Sequence, residues 1–344
     1  MSLSRKRTLV LSILSATTLI FFIVSIFLGP SHISFIEGLQ GLFGIGDRTN
    51  ILIVQNTRLP RIIAAVLAGI ALSISGVIMQ TISNNVMASP STLGVSNAAV
   101  LGANFAIIII GGGVIAVNGG NVVIENPYVV TVFALVFALL GIFLVLGLAR
   151  FKRFNNATTV LIGVTFGTFC TGVTTIIQYF ASDTTLATAV YWSFGDLGRA
   201  NYTDDLIILV VTVISLIFFI IFSYRYNAML LGEDSASTLG ININVFRFIS
   251  LFLASLLTAV VVSLVGIIGF VGLIVPQVMR RLVGNDHKYL IIGSSLMGAT
   301  VLLVGDIIAR LLIRTMTLPV GAVTAVLGAP IFIAILLMSR RKRA

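Results

Sequence analysis

Ten mostly apolar runs, most of them about as long as a bilayer is thick, follow one another along this chain of 344 residues. They cover 9–28, 62–82, 93–111, 128–149, 158–180, 206–222, 246–265, 267–283, 289–313 and 320–338. At 1.5 Å per helical residue, most of them match the ~30 Å hydrocarbon core. In lipid such a run must satisfy its backbone groups internally, which a helix does. Only 9% of the residues are charged and 58% are hydrophobic, whereas soluble domains carry roughly 25% charged residues. The expected fold is therefore an all-α polytopic membrane protein of about ten transmembrane helices. A single transmembrane domain over 1–344 is expected, because no polar stretch is long enough to bury a core of its own. The seventh and eighth runs are separated only by the segment from Gly266 to Gly269, which reads as a glycine-broken turn near the outer surface. The first run follows Arg5, Lys6 and Arg7 but is too long for a signal-peptide core and lacks a small-residue cleavage site, so a retained span is expected.

Charge sets the orientation. A formal net charge of +10 would point to nucleic acid in a soluble protein, but here the cations fall into short loops. With an even number of spans, one side receives Arg5, Lys6, Arg7, Arg150, Lys152, Arg153, Arg225, Arg247, Arg280, Arg281, Lys288, Arg340, Arg341, Lys342 and Arg343. The other receives Arg48, Arg58, Arg61, Arg199, Arg310 and Arg314. Fifteen against six places both termini in the cytoplasm by the positive-inside rule. The acids Glu37, Asp47, Glu125, Asp183, Asp204 and Asp205 then all lie outside.

Three outer segments are long: 29–57, 112–127 and 181–205. The second, with its GGG and NGG, reads as a loop. The third reads as a short helix and turn, with Tyr191, Trp192 and Tyr202 suited to the interface. The inner segment 224–244, YRYNAMLLGEDSASTLGININ, stands apart. Its acidic pair, Glu233 and Asp234, lies between Gly232 and Gly240, and its small, polar and aliphatic residues alternate at helical spacing.

The chemistry is mostly one of omission. There is no GxxxxGK[ST] phosphate loop and no Cys/His cluster for a metal. His32 and His287 fall in loops on opposite sides, and Cys170 is a lone thiol inside an apolar run. Asp306, four residues before Arg310, is expected to form an i,i+4 pair. Few other ionisable groups lie deep in the runs, which argues against a carrier driven by protons or sodium. The fifth run is instead rich in small residues and hydroxyls, including Thr168, Thr171 and Thr175, with Gln178 near its outer end. Two readings stand: close helix packing through small residues, or a wide, weakly polar solute pathway.

The ordered motifs carry a resemblance. Arg58-Leu59-Pro60-Arg61, then SGVIMQ and NNVMASPSTLGVSNAAVLGA, then GED…LG, GFVGLIVPQ, NDH, GDIIARL and LPVGAVTAVLGAPIF resemble the FecCD/BtuC-type permeases over nearly the whole chain. These are the membrane subunits of ABC importers for iron–siderophores, haem and cobalamin. The resemblance implies a second permease subunit, identical or paralogous, two cytoplasmic ABC ATPases and an extracellular substrate-binding protein. It implies no catalytic site and no cofactor on this chain, with ATP and Mg²⁺ held by the partner ATPases. Ferric siderophore is the implied cargo, with haem or cobalamin as the alternative. A stand-alone secondary carrier and a structural scaffold are the readings from other classes.

The resemblance also implies residue roles. Leu231, Gly232, Glu233, Asp234, Leu239 and Gly240, within a coupling segment 229–244, match the region that presses into the ATPase. Arg58, Arg61 and Arg310 match arginines that receive carboxylates of the binding protein. Asn84, Asn85, Val86 and Met87 match one cytoplasmic gate, and Asn155 and Asn156 a second. The chain departs from the pattern at Val86, where proline is common, at Gln277 in place of histidine, and at Thr317, where an acid often stands.

Overall fold

The computed structural model describes residues 3–31, 33–111, 127–151, 156–313 and 317–340. In chain order its helices are α1 (Leu3–Phe27), α2 (Phe35–Leu42), α3 (Arg48–Leu52), α4 (Leu59–Ile82), α5 (Val95–Asn104), α6 (Pro127–Phe151), α7 (Asn156–Tyr179), α8 (Asp183–Ser193), α9 (Tyr202–Ile221), α10 (Ser223–Met229), α11 (Glu233–Thr238), α12 (Ile243–Val265), α13 (Val271–Val283), α14 (His287–Leu311) and α15 (Val320–Arg340). All ten predicted runs fall on helices. Seven helices among the described residues are long and apolar enough to cross a membrane: Ser4–Phe27, Arg48–Ile82, Pro127–Phe151, Thr158–Tyr179, Tyr202–Ile221, Ile243–Val265 and His287–Leu311. Val95–Ile109 and Val320–Ile335 are shorter apolar helices. His32, the loop 112–126 with Glu125, and Lys152, Arg153, Asn155, Arg314, Arg341, Lys342 and Arg343 lie outside the described residues.

The second span starts earlier than hydropathy predicts. Helix runs unbroken from Arg48 to Ile82, because a π-helical turn, Ile53–Arg58, joins α3 to α4. The turn between α12 and α13 is where the glycines put it. Gly266 caps α12 at φ 81°, a conformation that a side chain at this position would resist, and Ile267 bridges to Phe194. The segment 181–205 forms α8 and a 3₁₀ turn, Leu197–Arg199. Trp192 differs from the expected interfacial role: it is 3% exposed, whereas Tyr191 and Tyr202 are half exposed.

The chain divides into two compact units. The first comprises Met1–Val77, Gly195–Tyr224 and Ile268–Ala344. Here α4 approaches α14 and α13 through glycines. A Cβ on Gly69 would strike the Gly298 carbonyl, and one on Gly76 the Gly272 carbonyl, so backbones pack where side chains are absent. Helix α1 lies against α14, where the Thr18 and Thr300 hydroxyls are 2.8 Å apart. Arg7 on α1 bonds the Val283 carbonyl at 2.8 Å and pairs with Asp286 at 3.2 Å.

The second unit comprises Ile78–Phe194 and Arg225–Ile267. Phe105, at the end of α5, packs on Phe133 and Phe137 of α6 with ring centroids 5.9 and 5.6 Å away. Phe143 of α6 meets Phe252 of α12 at 5.4 Å. Tyr226 of α10 is fully buried against Phe246, 4.8 Å between centroids. Its hydroxyl lies 2.7 Å from that of Ser250, and burial pushes the phenol well above its usual range.

Candidate functional site

The polar island of 224–244 folds into two short helices joined by a tight turn. Leu231 and Gly232 close onto the carbonyls of Ala228 and Met229. Gly232 then takes φ 113°, which only glycine adopts without strain, and starts α11 with Glu233 and Asp234 in its first turn. Acids there complement the partial positive charge of a helix N-terminus. Ala236 is the one buried residue of α11, and its carbonyl accepts from the Ile241 amide at 3.3 Å. The two acids differ. Glu233 is held by Arg247 of α12, Nη2 to Oε1 2.6 Å, with the Arg247 side chain 4% exposed and that of Glu233 57% exposed. Asp234 forms no ion pair among the described residues and stands exposed. Leu231 and Leu239 are 75% and 68% exposed. The result is a short helix tied to α12 through Glu233, with Asp234 and the flanking Leu231 and Leu239 exposed.

At the end of α4, Asn84 adopts φ 45°, a left-handed conformation that Asn tolerates better than most residues. The Asn84 and Asn85 amides bond back to the carbonyls of Thr81 and Gln80, both at 3.1 Å. The Asn85 side chain then accepts from the Met87 amide at 2.9 Å, an Asx turn. Val86 and Met87 project at 54% and 53% exposure. The turn that carries Val86 is thus held by side-chain capping. Asn156 opens α7, and Asn155 lies outside the described residues.

Helix α7 sorts its hydroxyls by face. Thr159 and Thr174 are buried, whereas Thr168, Thr171 and Thr175 recur at i, i+3 and i+7 on an exposed stripe. Two asparagines of α5, seven residues apart and so on one helix face, meet this stripe. Asn97 donates to the Gly167 carbonyl at 3.1 Å and to the Thr171 hydroxyl at 2.9 Å. Gln178 donates to Asn104 at 2.9 Å. Ser91, Thr92, Asn97, Val164, Gly167, Thr168 and Thr171 line an open pocket of ≈350 Å³. Close packing and a polar surface therefore coexist: Gly163 packs against Thr92, while the Thr168, Thr171 and Thr175 hydroxyls stand exposed. Sequence reasoning missed Asn97 and Asn104, although two amides seven residues apart in an apolar run were a usable signal.

The three arginines are buried, not displayed. Arg58 is 4% exposed, and its guanidinium donates to the carbonyls of Ile26 at 2.7 Å, Phe27 at 3.1 Å and Ser31 at 2.6 Å. Arg61 Nε bonds Asp306 Oδ1 at 2.7 Å, and its Nη1 lies 3.6 Å from Asp196. Arg310 Nε is 2.9 Å from Asp306 Oδ2 as an ion pair whose angle is poor for a hydrogen bond. Arg310 also bonds the Ser25 hydroxyl and the carbonyls of Ser25 and Leu28. The expected i,i+4 pair is present, and Asp306, fully buried, serves two cations. Within the chain, Arg61 and Arg310 thus meet carboxylates, and Arg58 meets backbone carbonyls only. Gln277 is buried, and Thr317 is exposed just before α15. No group of three or more His, Cys, Asp or Glu that could hold a metal occurs among the described residues.

Residues 17–338 match the FecCD transport family. The permease protein MJ0087 of Methanocaldococcus jannaschii, whose name assigns it provisionally to the ABC transporters, is 42% identical over 97% of this chain and 95% of its own length. The vitamin B12 import system permease protein BtuC of Serratia proteamaculans is 34% identical, covering 83% of this chain and 82% of BtuC. Among solved structures, an inward-facing ABC transporter described provisionally as metal-chelate type superposes with TM-score 0.83 at 27% identity, covering 95% of this chain and 98% of the other.

Proposed function

Because the chain belongs to the FecCD transport family, as a multi-pass ABC importer permease, we propose that it carries ferric siderophores from an extracellular binding protein to the cytoplasm. Two such permease subunits, identical or paralogous, form the pathway in this reading. Two cytoplasmic ABC ATPases supply the energy, and both termini lie in the cytoplasm. The observation that carries the mechanism is α11: an exposed helix, fixed by Gly232 and the Glu233–Arg247 pair, that presents Asp234, Leu231 and Leu239 to a partner. The described residues contain no nucleotide-binding loop, so ATP-driven motion has to enter through such a contact.

ATP binding at the ATPases moves α11, and with it α12, to which Glu233 is tied through Arg247. The Asn84–Met87 turn and Asn155–Asn156 act as the inner gate. Thr168, Thr171, Thr175 and Gln178, with Asn97 and Asn104, line the route. Their neutral donors and acceptors solvate a bulky chelate without trapping its charge. Nucleotide and binding protein together supply the differential affinity that alternating access requires. Arg58, Arg61 and Arg310 act on docking indirectly, by holding the chain after α1 and the end of α14 in the shape that the binding protein meets. Uptake of labelled ferric siderophore by a deletion strain, with and without this gene, tests the cargo. Uptake of cobalamin or haem but not of siderophore would redirect it.

A further inference from the structure

The first unit holds a second cavity, to which none of the residues assigned to transport contributes. It has ≈280 Å³ of space and lies among α13, α14 and α15. Its wall is formed by side chains such as Phe270, Ile274, Val278, Val301, Leu327 and Ile331. Gly305 and Gly328 also line it, and the missing side chain of Gly328 lets Phe270 pack close to α15. Its two hydroxyls are already used: Thr300 donates to the Leu296 carbonyl at 2.9 Å and Thr324 to the Gly321 carbonyl at 3.0 Å. Water needs two to four polar partners in such a space, and this wall offers none. An apolar cavity of about 150 Å³ is enough to take a benzene ring, so this one accepts a longer alkyl segment.

A cation marks one end. Ile274, Val278 and Arg281 fall on one face of α13 at i, i+4 and i+7. On α15, Ile331 lines the cavity, and the carbonyl of Ile335, one turn further, accepts from Arg281 Nη2 at 2.6 Å. The Arg281 guanidinium therefore sits about one helical turn beyond the cavity's Ile331 end. It is exposed, and four of its five N–H groups remain beyond that bond. The nearby acid on the α13–α14 turn, Asp286, is paired with Arg7. Leu327 and Ile331 are 44% and 50% exposed, so the cavity opens at the surface of α15.

We propose that this cavity is a lipid site: it takes one acyl chain of an anionic phospholipid, with the headgroup phosphate on Arg281. The apolar wall at membrane depth selects an alkyl chain, and the arginine at its mouth selects a phosphate by charge and donor geometry. The occupant stabilises the packing of α15 on α13 by filling space that the protein leaves empty.

The test uses the full-length chain, with any subunits that co-purify, in nanodiscs containing phosphatidylglycerol that carries an acyl-chain diazirine. Irradiation is expected to label peptides containing Val278, Val301 and Ile331 several-fold more than the exposed Leu140 and Leu144 of α6. Val304→Phe, which fills the cavity, is expected to cut that labelling several-fold. Arg281→Gln, at an exposed position, is expected to abolish the preference for the phosphatidylglycerol probe over a phosphatidylcholine probe. Labelling no stronger than on α6, no preference between the two probes in the unmodified chain, or competition by inorganic phosphate overturns the proposal. So does cross-linking of these residues to a second copy of the chain, which would mean that protein covers the cavity.

Discussion

Glu233 and Asp234 are adjacent acids that sequence treats as one motif, and the structure gives them different work. Replacing each by alanine should separate the two. Glu233→Ala leaves Arg247, whose side chain is 4% exposed, without its carboxylate at 2.6 Å. Breaking a fully buried pair costs about 3–5 kcal/mol, whereas exposed pairs contribute roughly 0.2–1 kcal/mol. With one partner buried and the other 57% exposed, the expected loss is between these limits, about 1–2 kcal/mol. At about 2–4 °C per kcal/mol for a unit of 150–250 residues, the melting temperature should fall by about 2–8 °C. Asp234→Ala removes an exposed carboxylate and should stay within about 0.5 kcal/mol of the parent. The chain provides its own reporter. Cys170 is its single cysteine, 1% exposed, in the same unit as α11 and α12. A thiol-reactive fluorophore then reports unfolding of that unit as Cys170 becomes accessible. In proteoliposomes with the ATPase partner, both variants should lose uptake, Asp234→Ala with normal stability. The double variant Glu233→Ala/Arg247→Met should recover most of the lost melting temperature, since the buried guanidinium is removed together with its carboxylate. If the stability losses of the single variants simply add, the pair carries no coupling energy. Full uptake and ATPase stimulation by Asp234→Ala would refute the coupling role.

Other outcomes follow from the same geometry. Asp306→Ala leaves Arg61 and Arg310 buried without their shared carboxylate, and should cost about 3–5 kcal/mol, read as a lower thermal aggregation onset in detergent; an unchanged onset would mean that the backbone carbonyls suffice. Gly76→Val places a side chain against the Gly272 carbonyl, which cannot yield as a side chain could; the expected result is loss of monodisperse protein on size exclusion, while Gly172→Ala, with nothing within 4 Å of the added atom, is tolerated. Thr168→Phe fills the pocket beside Asn97 on an exposed face, so uptake should fall several-fold with the melting temperature unchanged. Arg58→Lys cannot reach three carbonyls with one ammonium, and should weaken pull-down of the binding protein although Arg58 itself is only 4% exposed.

How much could be read without coordinates depends on the range of the interaction. The ten apolar runs and the glycine break after Val265 were readable because hydropathy and backbone permissiveness are properties of single residues and short windows. So was the pairing of Asp306 with Arg310, since four residues on a helix are one turn. The helical extension from Arg48 escaped hydropathy, because its residues are mixed and a π-turn carries them. The burial of Trp192 escaped it too, because an aromatic near a predicted membrane edge is interfacial only if nothing packs over it.

The amino-acid order by itself determined that this chain lives in lipid as helices, and that it has no phosphate loop. It also determined that a short acidic helix interrupts the apolar pattern. These follow from the cost of polar groups in hydrocarbon and from the few residues each motif needs. Tertiary structure decided the partners. Arg247 takes Glu233 and leaves Asp234 outward, Asp306 takes both Arg61 and Arg310, and Asn97 and Asn104 meet α7. Except for Asp306 with Arg310, one turn apart on α14, each joins residues on different helices, and charge or hydrogen-bonding capacity alone does not say which of several acceptors a donor will reach; the packing of the helices decides that.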